Sequence, residues 1–253
     1  MAEGDTILRL ARRFEATLLG ETVAARAPNP RGRAARIERL DGLTLEGVES
    51  HGKHLLLDFG AVSLHSHLGM SGGWHFYRPG SRWRRPRSSA WAVLTGGGWE
   101  AVQFGGPTLR VMSTARLRRD PQLTRLGPDI LAEDFDPAAV IPALRADPTR
   151  SLGDALLDQR LVAGIGNIFK SEACFAARVD PWRAVGELSD EELGSVLAAA
   201  RAQMQAAVET GGRHQFKVYK RRQSVCPSCR GPLRSRGQGD ANRTTYWCPR
   251  CQS

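Results

Sequence analysis

The sequence predicts an α+β protein in three parts: an N-terminal helix with a β-sandwich, a helical domain, and a C-terminal hairpin stapled by zinc. Three observations predict this. Apolar residues recur at helical spacing from Asp5 to Leu19, the period falls to two between Thr22 and Ser113, and the helical period returns from Pro137 onward. The chain then closes with Cys226-x-x-Cys229 and Cys248-x-x-Cys251, two thiol pairs separated by 18 residues. That spacing is a tetrahedral structural zinc ligand set, each pair presented from a tight turn.

The first helix carries Ile7, Leu8, Leu10, Ala11, Phe14 and Leu18, with acids in its first turn. Short alternating or apolar runs follow at 43–48, 53–59, 62–65, 90–94 and 99–104, divided by Gly, Asn and Pro turns. Many strands at short intervals mean a sandwich or barrel. The Arg/Pro/Gly-rich stretch 116–132 reads as a linker with some local order. Helices are expected at 137–146, 152–159, 166–177 and 189–210. The last has Ser189 as N-cap with Glu192 three residues on, a capping box, and a stripe of Leu193, Val196, Leu197, Ala200, Met204 and Ala207.

Charge is concentrated at one end. The last 41 residues hold ten Lys/Arg and one acid, Asp240, so nearly all of the net +10 lies there. Smaller clusters occur at Arg78, Arg82, Arg84, Arg85 and Arg87, and at Arg110, Arg116, Arg118 and Arg119. One-sided basic clusters on an otherwise balanced chain favour a polyanion, nucleic acid ahead of an anionic membrane. Hydrophobic content of 41% with 25% charged residues is that of an ordinary globular protein. No leader and no long apolar run are evident, so no membrane role is expected. Four cysteines assigned to one zinc per chain and a fifth, Cys174, on an apolar helix face imply a reducing cytoplasmic setting at the nucleoid.

Taken alone, several residues admit two readings. The run Gly164-Ile165-Gly166-Asn167 is an ordinary helix–helix corner or a helix start that binds phosphate, with Asn167 adding a donor. Glu3 is a first-turn carboxylate favouring the helix dipole, or a catalytic acid. Lys53 is a solvated turn lysine or an anion contact. His65 and His67 share one strand face, but no third ligand for a second metal is evident.

The opening Glu3-Gly4-Asp5-Thr6, the glycine turn with its preceding Asp158-Gln159, and the tail from Arg243 through Cys248-Pro249-Arg250-Cys251-Gln252 resemble the formamidopyrimidine-DNA glycosylase/endonuclease VIII family. The likeness covers the whole chain in order and leans to the endonuclease VIII branch, actinobacterial type. It implies an N-terminal catalytic β-sandwich domain at 1–117, a DNA-binding domain with a helix–two-turn–helix motif at 118–221, and a zinc finger at 222–253. It also implies a monomer acting on damaged double-stranded DNA as a bifunctional glycosylase and AP lyase in base excision repair. Such an enzyme removes an oxidised base through an imine on its N-terminal amine, then cuts the backbone by β/δ-elimination.

The resemblance assigns roles residue by residue. Residue 2, freed by loss of Met1, is the nucleophile; the family has proline there and this chain has Ala2, so weakened or altered chemistry is expected. Glu3 matches the acid that protonates the sugar oxygen, a role that calls for a raised pKa. Lys53 matches the lysine that meets phosphate or sugar at the lesion. Arg243 matches the zinc-finger arginine on the flanking phosphates, Asn167 a phosphate-binding asparagine and Arg125 a further DNA contact. Met70, in His67-Leu68-Gly69-Met70-Ser71-Gly72, is the wedge that fills the hole left by a flipped base. That loop looks like the formamidopyrimidine branch, whereas the short stretch 211–217 lacks room for a base-capping loop, and oxidised pyrimidines are the expected substrates. The alternative is a non-catalytic damaged-DNA-binding protein that has lost the nucleophile.

Overall fold

A computed structural model describes residues 2–213, 215–221 and 224–252. The expected loss of Met1 and the expected domain boundary at 221/222 therefore fall outside the described residues. Contacts divide the chain into two compact units, Met1–Ala2 with Thr6–Thr124, and Glu3–Asp5 with Arg125–Ser253.

In the first unit, helix α1 (Gly4–Leu18) presents Ile7, Ala11, Phe14 and Leu18 on one face, all at most 3% exposed. This is the i, i+4, i+7, i+11 stripe that drives an amphipathic helix onto a core. After β1 (Ala24–Arg26) and the short α2 (Pro30–Ala34) come β2 (Gly47–His51), β3 (His54–Phe59), β4 (Val62–His67) and β5 (Gly73–Tyr77). Strands β6 (Ala92–Gly96), β7 (Trp99–Phe104) and β8 (Thr108–Ser113) complete two antiparallel sheets, ordered β1–β6–β7–β5 and β2–β3–β4–β8. Leu55, Leu57 and Leu64 from one sheet and Ala92, Leu94, Ala101 and Trp74 from the other share a core with the α1 stripe. Alternation then sends His54, Leu56 and Asp58 of β3 to the opposite face.

Helix α3 (Thr114–Leu117) runs into the stretch read as a linker, and α4 (Pro121–Thr124) lies within it. The second unit contains α5 (Pro137–Arg145), α6 (Leu152–Ala155), α7 (Asn167–Ala176) and α8 (Asp190–Glu209), and ends in the hairpin β9 (Arg234–Gln238) and β10 (Arg243–Trp247). The capping box of α8 is formed: Glu192 N donates to Ser189 Oγ at 3.1 Å and Ser189 N to Glu192 Oε2 at 2.7 Å. Its apolar stripe packs with Ile165, Phe169, Ala173 and Cys174 in the core of this unit.

Two expected elements differ. The strand expected at 43–48 starts only at Gly47, because Leu43 and Leu45 are hydrogen-bonded to residues of the loop after α1 and Thr44 forms an isolated bridge to Thr22. The helix expected at 152–159 stops at Ala155, because its polar C-terminal residues serve elsewhere. Asp158 accepts from Arg150 and Arg160, which hold its carboxyl far below the usual carboxylate range. Gln159 braces the following turn, its Oε1 accepting from Gly164 N at 3.0 Å and its Nε2 donating to Ile165 O at 3.0 Å.

Candidate nucleic-acid site

In the second unit, the start of α7 is closed by Glu3. The side chain is 1% exposed and its carboxylate accepts from three backbone amides: Ile168 N at 2.8 Å, Gly166 N at 3.1 Å and Phe169 N at 3.2 Å. An acidic group satisfies the orphan donors and the positive end of a helix. The two glycines have separate reasons. Gly164 has φ +104°, a region closed to most side chains, and a Cβ on Gly166 would lie 2.3 Å from the Glu3 carboxyl carbon. The helix start read as a phosphate cradle thus holds a carboxylate from its own chain.

Asn167, the next residue, is 5% exposed and donates Nδ2 to Thr244 O at 2.7 Å. One turn on, Lys170 is fully buried, and its Nζ reaches Thr245 Oγ1 at 2.6 Å. Thr245 passes the bond to Gln238 Oε1 at 2.5 Å. Burial pushes the Lys170 ammonium down to about 8, opposed by Cys174 and assisted by Arg243. Glu172 accepts from the amides of Lys217, Val218 and Tyr219 at 2.7–2.9 Å. Asn167 and Lys170 thereby hold the strand that starts with Arg243, which is half-buried, and Glu172 holds residues 217–219. Lys170 was missed in the sequence; its signal was a lysine three residues after Asn167, one turn along the same helix. Arg125 is exposed at the start of this unit's main segment.

The four cysteines converge, with all four Sγ atoms within 4.8 Å of one another. Cys226 Sγ lies 3.7 Å from Cys251 Sγ and Cys229 Sγ 3.5 Å from Cys248 Sγ. A tetrahedral ion with Zn–S bonds of ~2.3 Å places its sulfurs about 3.8 Å apart, so the donor set fits a metal ion. Cys174 stands apart, and burial raises its thiol to about 12, which makes it an inert core residue.

In the first unit, Ala2 N donates to Gly69 O at 3.3 Å, beside Met70, whose side chain is 70% exposed. The loop turns through Gly69 at φ +58°. Ala2, Thr6, Arg9, Leu10, Arg13, Leu68 and Trp74 line a cavity of about 450 Å³ with Gly72 and Gly73. Lys53 occupies the β2–β3 turn. Next to it, the sheet register aligns His51, His54 and His67 across β2, β3 and β4. His54 is the third imidazole that the sequence reading lacked. The three rings still form no convergent metal set; among the described residues, only the cysteines do.

An α1-packed double sheet, a glycine-turn helix start closed by Glu3 and a hairpin whose four cysteines could hold a metal ion give this chain its fold class. Comparison with known proteins makes it specific. Residues 1–103 match the formamidopyrimidine-DNA glycosylase N-terminal domain and residues 126–217 its H2TH domain. A probable endonuclease 8 2 of Streptomyces coelicolor is 40% identical over 264 residues, covering 100% of this chain and 94% of its own. The DNA-(apurinic or apyrimidinic site) lyase Nei2 of Mycolicibacterium smegmatis is 34% identical, covering 100% and 99%. Lactococcus lactis Fpg in complex with abasic-site DNA has the same fold, with a TM-score of 0.86 at 23% identity over 100% of both chains. The chain belongs to the formamidopyrimidine-DNA glycosylase/endonuclease VIII family and is endonuclease VIII-like.

Two outcomes are expected from this geometry. Gly166→Ala forces the Glu3 carboxylate off the helix start and leaves buried donors unpaired, a cost of about 1–3 kcal/mol for each group left unsatisfied. Thermal unfolding of the variant measures it, and an unchanged Tm contradicts the contact. The second outcome concerns pH. Burial, with neighbouring cations, lowers His54 from 6.5 to about 3 and His65 to about 4. The unfolded chain binds more protons below pH 6.5, so this contribution to stability is full above pH 6.5 and is lost as pH falls toward those values. Tm measured against pH should fall less steeply for His54→Phe than for the parent protein.

Proposed function

We propose that the protein is a base-excision-repair DNA glycosylase with AP lyase activity that removes oxidised bases, pyrimidines foremost, from double-stranded DNA. The observation that carries this reading is the treatment of its first residues. Ala2 N is pinned to the foot of the exposed Met70 loop beside a cavity of about 450 Å³, and Glu3 is sequestered with three amide donors. Neither arrangement is needed for an amphipathic helix to fold. Relatives that align over the whole chain carry the names endonuclease 8 and AP lyase.

In this mechanism the freed α-amine of Ala2 attacks C1′ of the damaged nucleotide. The C1′–base bond breaks and the base leaves with a proton; the C1′–O4′ bond then opens, O4′ taking a second proton, as the amine loses its two protons and the C1′=N bond forms. Loss of a C2′ proton then expels the 3′ phosphate, and a second elimination expels the 5′ phosphate. An α-amine with an ordinary pKa of ~8 is partly neutral at physiological pH, which a nucleophile requires. A primary amine must shed one more proton than the family's proline to reach a neutral imine, so turnover is slower than with a secondary amine. Glu3 accepts and returns protons once DNA displaces it from the α7 amides. Lys53, Asn167, Arg125 and Arg243 bind phosphates, and Met70 enters the stack. The four cysteines hold one structural zinc, which supplies folding energy to the hairpin and takes no part in proton transfer. The protein acts as a monomer in the cytoplasm, at the nucleoid. Residues 1–117 form its catalytic domain, 118–221 its helical DNA-binding domain and 222–253 its zinc finger.

Borohydride reduction of the protein on abasic-site DNA should leave a covalent adduct at Ala2, and a form that retains Met1 should give none. Ala2→Pro should raise base excision. An adduct at Lys53 would transfer the nucleophile to the lysine, and no adduct from either the parent or Ala2→Pro would favour the damaged-DNA-binding alternative. Metal analysis should find one zinc per chain, and chelation should abolish DNA binding by unfolding the hairpin. Normal binding by chelated protein would remove zinc from the account.

A further inference from the structure

The outer face of the β2–β3–β4–β8 sheet carries a chain of polar contacts unlike its surroundings. Asp120, 8% exposed, accepts from Arg110 NH2 at 2.9 Å, and Gln122 accepts from the same nitrogen at 3.0 Å. Arg110 NH2 also lies 3.0 Å from His65 Nδ1, and His65 Nε2 lies 2.8 Å from His54 Nδ1. His65 is fully buried, whereas His54 is partly exposed and has the His67 ring at a centroid distance of 4.7 Å.

Proton positions along this chain follow from one fixed charge. A guanidinium has donors and no acceptor, so His65 Nδ1 must accept. The proton of neutral His65 therefore sits on Nε2 and is donated to His54 Nδ1. His54 then carries its own proton on Nε2, the ring nitrogen that His65 does not engage. Adding a proton to His65 would set two donors against each other beside Arg110. The titratable and charged groups that face the pair are His51 from β2, Lys53 from the β2–β3 turn, His67 from β4, Arg110 from β8 and Asp120 before α4. Asp120 is the only acid among them and is paired with Arg110. This environment also speaks against a metal on these imidazoles, since a dication would sit among cations.

We infer that Arg110, acting through His65, fixes His54 as the neutral Nε2–H tautomer and makes it an uncharged hydrogen-bond donor to a DNA phosphate beside Lys53. The inference rests on the DNA-binding reading above. Arg110 and His65 are positioning residues and His54 makes the contact. A neutral donor adds a directed bond where Lys53 already supplies the charge, and a second cation there would be repelled by the first.

The test has two arms. Long-range ¹H–¹⁵N spectra of the ¹⁵N-histidine-labelled protein without DNA should show Nε2–H for both His54 and His65, unchanged from about pH 5 to 8. In Arg110→Met at least one of the two should titrate in that range. An Nδ1–H form or an imidazolium in the parent protein would overturn the assignment. In the second arm, His54→Phe should weaken binding to abasic-site duplex about three- to tenfold, the scale of one lost hydrogen bond. His54→Gln, which keeps a donor, should recover most of that loss. Because no charge is removed, the log–log salt slope should stay that of the parent for His54→Phe, whereas Lys53→Ala should reduce it by about 0.9. Parent-like affinity for His54→Phe, or a slope lowered as in Lys53→Ala, overturns the phosphate role. Failure of every form to bind duplex overturns the DNA reading and the phosphate role with it, while the tautomer result stands on the first arm alone.

Discussion

The carboxylate of Glu3 on the first amides of α7 is the contact on which the second unit's site depends. A buried carboxylate is costly unless its oxygens are satisfied, and a helix start is costly unless its donors are. Each deficit answers the other through three hydrogen bonds. The close fit requires Gly166, where any side chain would meet Glu3. The turn is braced from behind by Gln159. Once α7 is placed, its following residues act as a row of brackets. Asn167 holds the Thr244 carbonyl, Lys170 holds Thr245, and Glu172 holds the amides of residues 217–219. Arg243 is positioned by its neighbours on β10.

The first unit uses a different device. Its register, not a helix end, aligns the polar groups. Pairing of His51 with His54 and of His54 with His67 puts three imidazoles in one row, and Arg110 on β8 orders the protons of two rings. The core on the opposite face is apolar and shared with α1, so a one-residue slip of β3 would bury His54 and expose Leu55 and Leu57. The hydrophobic pattern that fixes the sheet therefore also fixes where the imidazoles point.

Much of the fold was readable because its signals are local. The α1 stripe, the Ser189–Glu192 capping box and the strand at 99–104 each depend on residues a few positions apart, and each is found where its pattern lies. The Cys-x-x-Cys pairs needed only their spacing to announce a metal set, and their sulfurs do converge. Strand β5 was missed because Gly73–Tyr77 is short and mostly half-buried, with weak alternation. Residues 43–45 were read as strand because they are apolar and β-branched, but their backbone partners are residues of the loop after α1. Lys170 and His54 were invisible as site residues, since a lysine or histidine one turn or one strand from a motif is ordinary until its partner is known.

By itself the sequence determined the order of the parts, the candidate metal ligands, the basic tail and the Ala2–Glu3 opening, because composition and short-range periodicity carry those. Tertiary structure alone decided what fills the α7 start. A helix N-terminus attracts any anion, and no local rule says whether that anion is a phosphate or a carboxylate more than 160 residues away in the chain. It alone decided the tautomers of His54 and His65 as well, because these follow from Arg110, 45 residues after His65 in the chain and adjacent only through β4–β8 pairing. Long-range contacts set protonation and occupancy, and those are the properties from which chemistry follows.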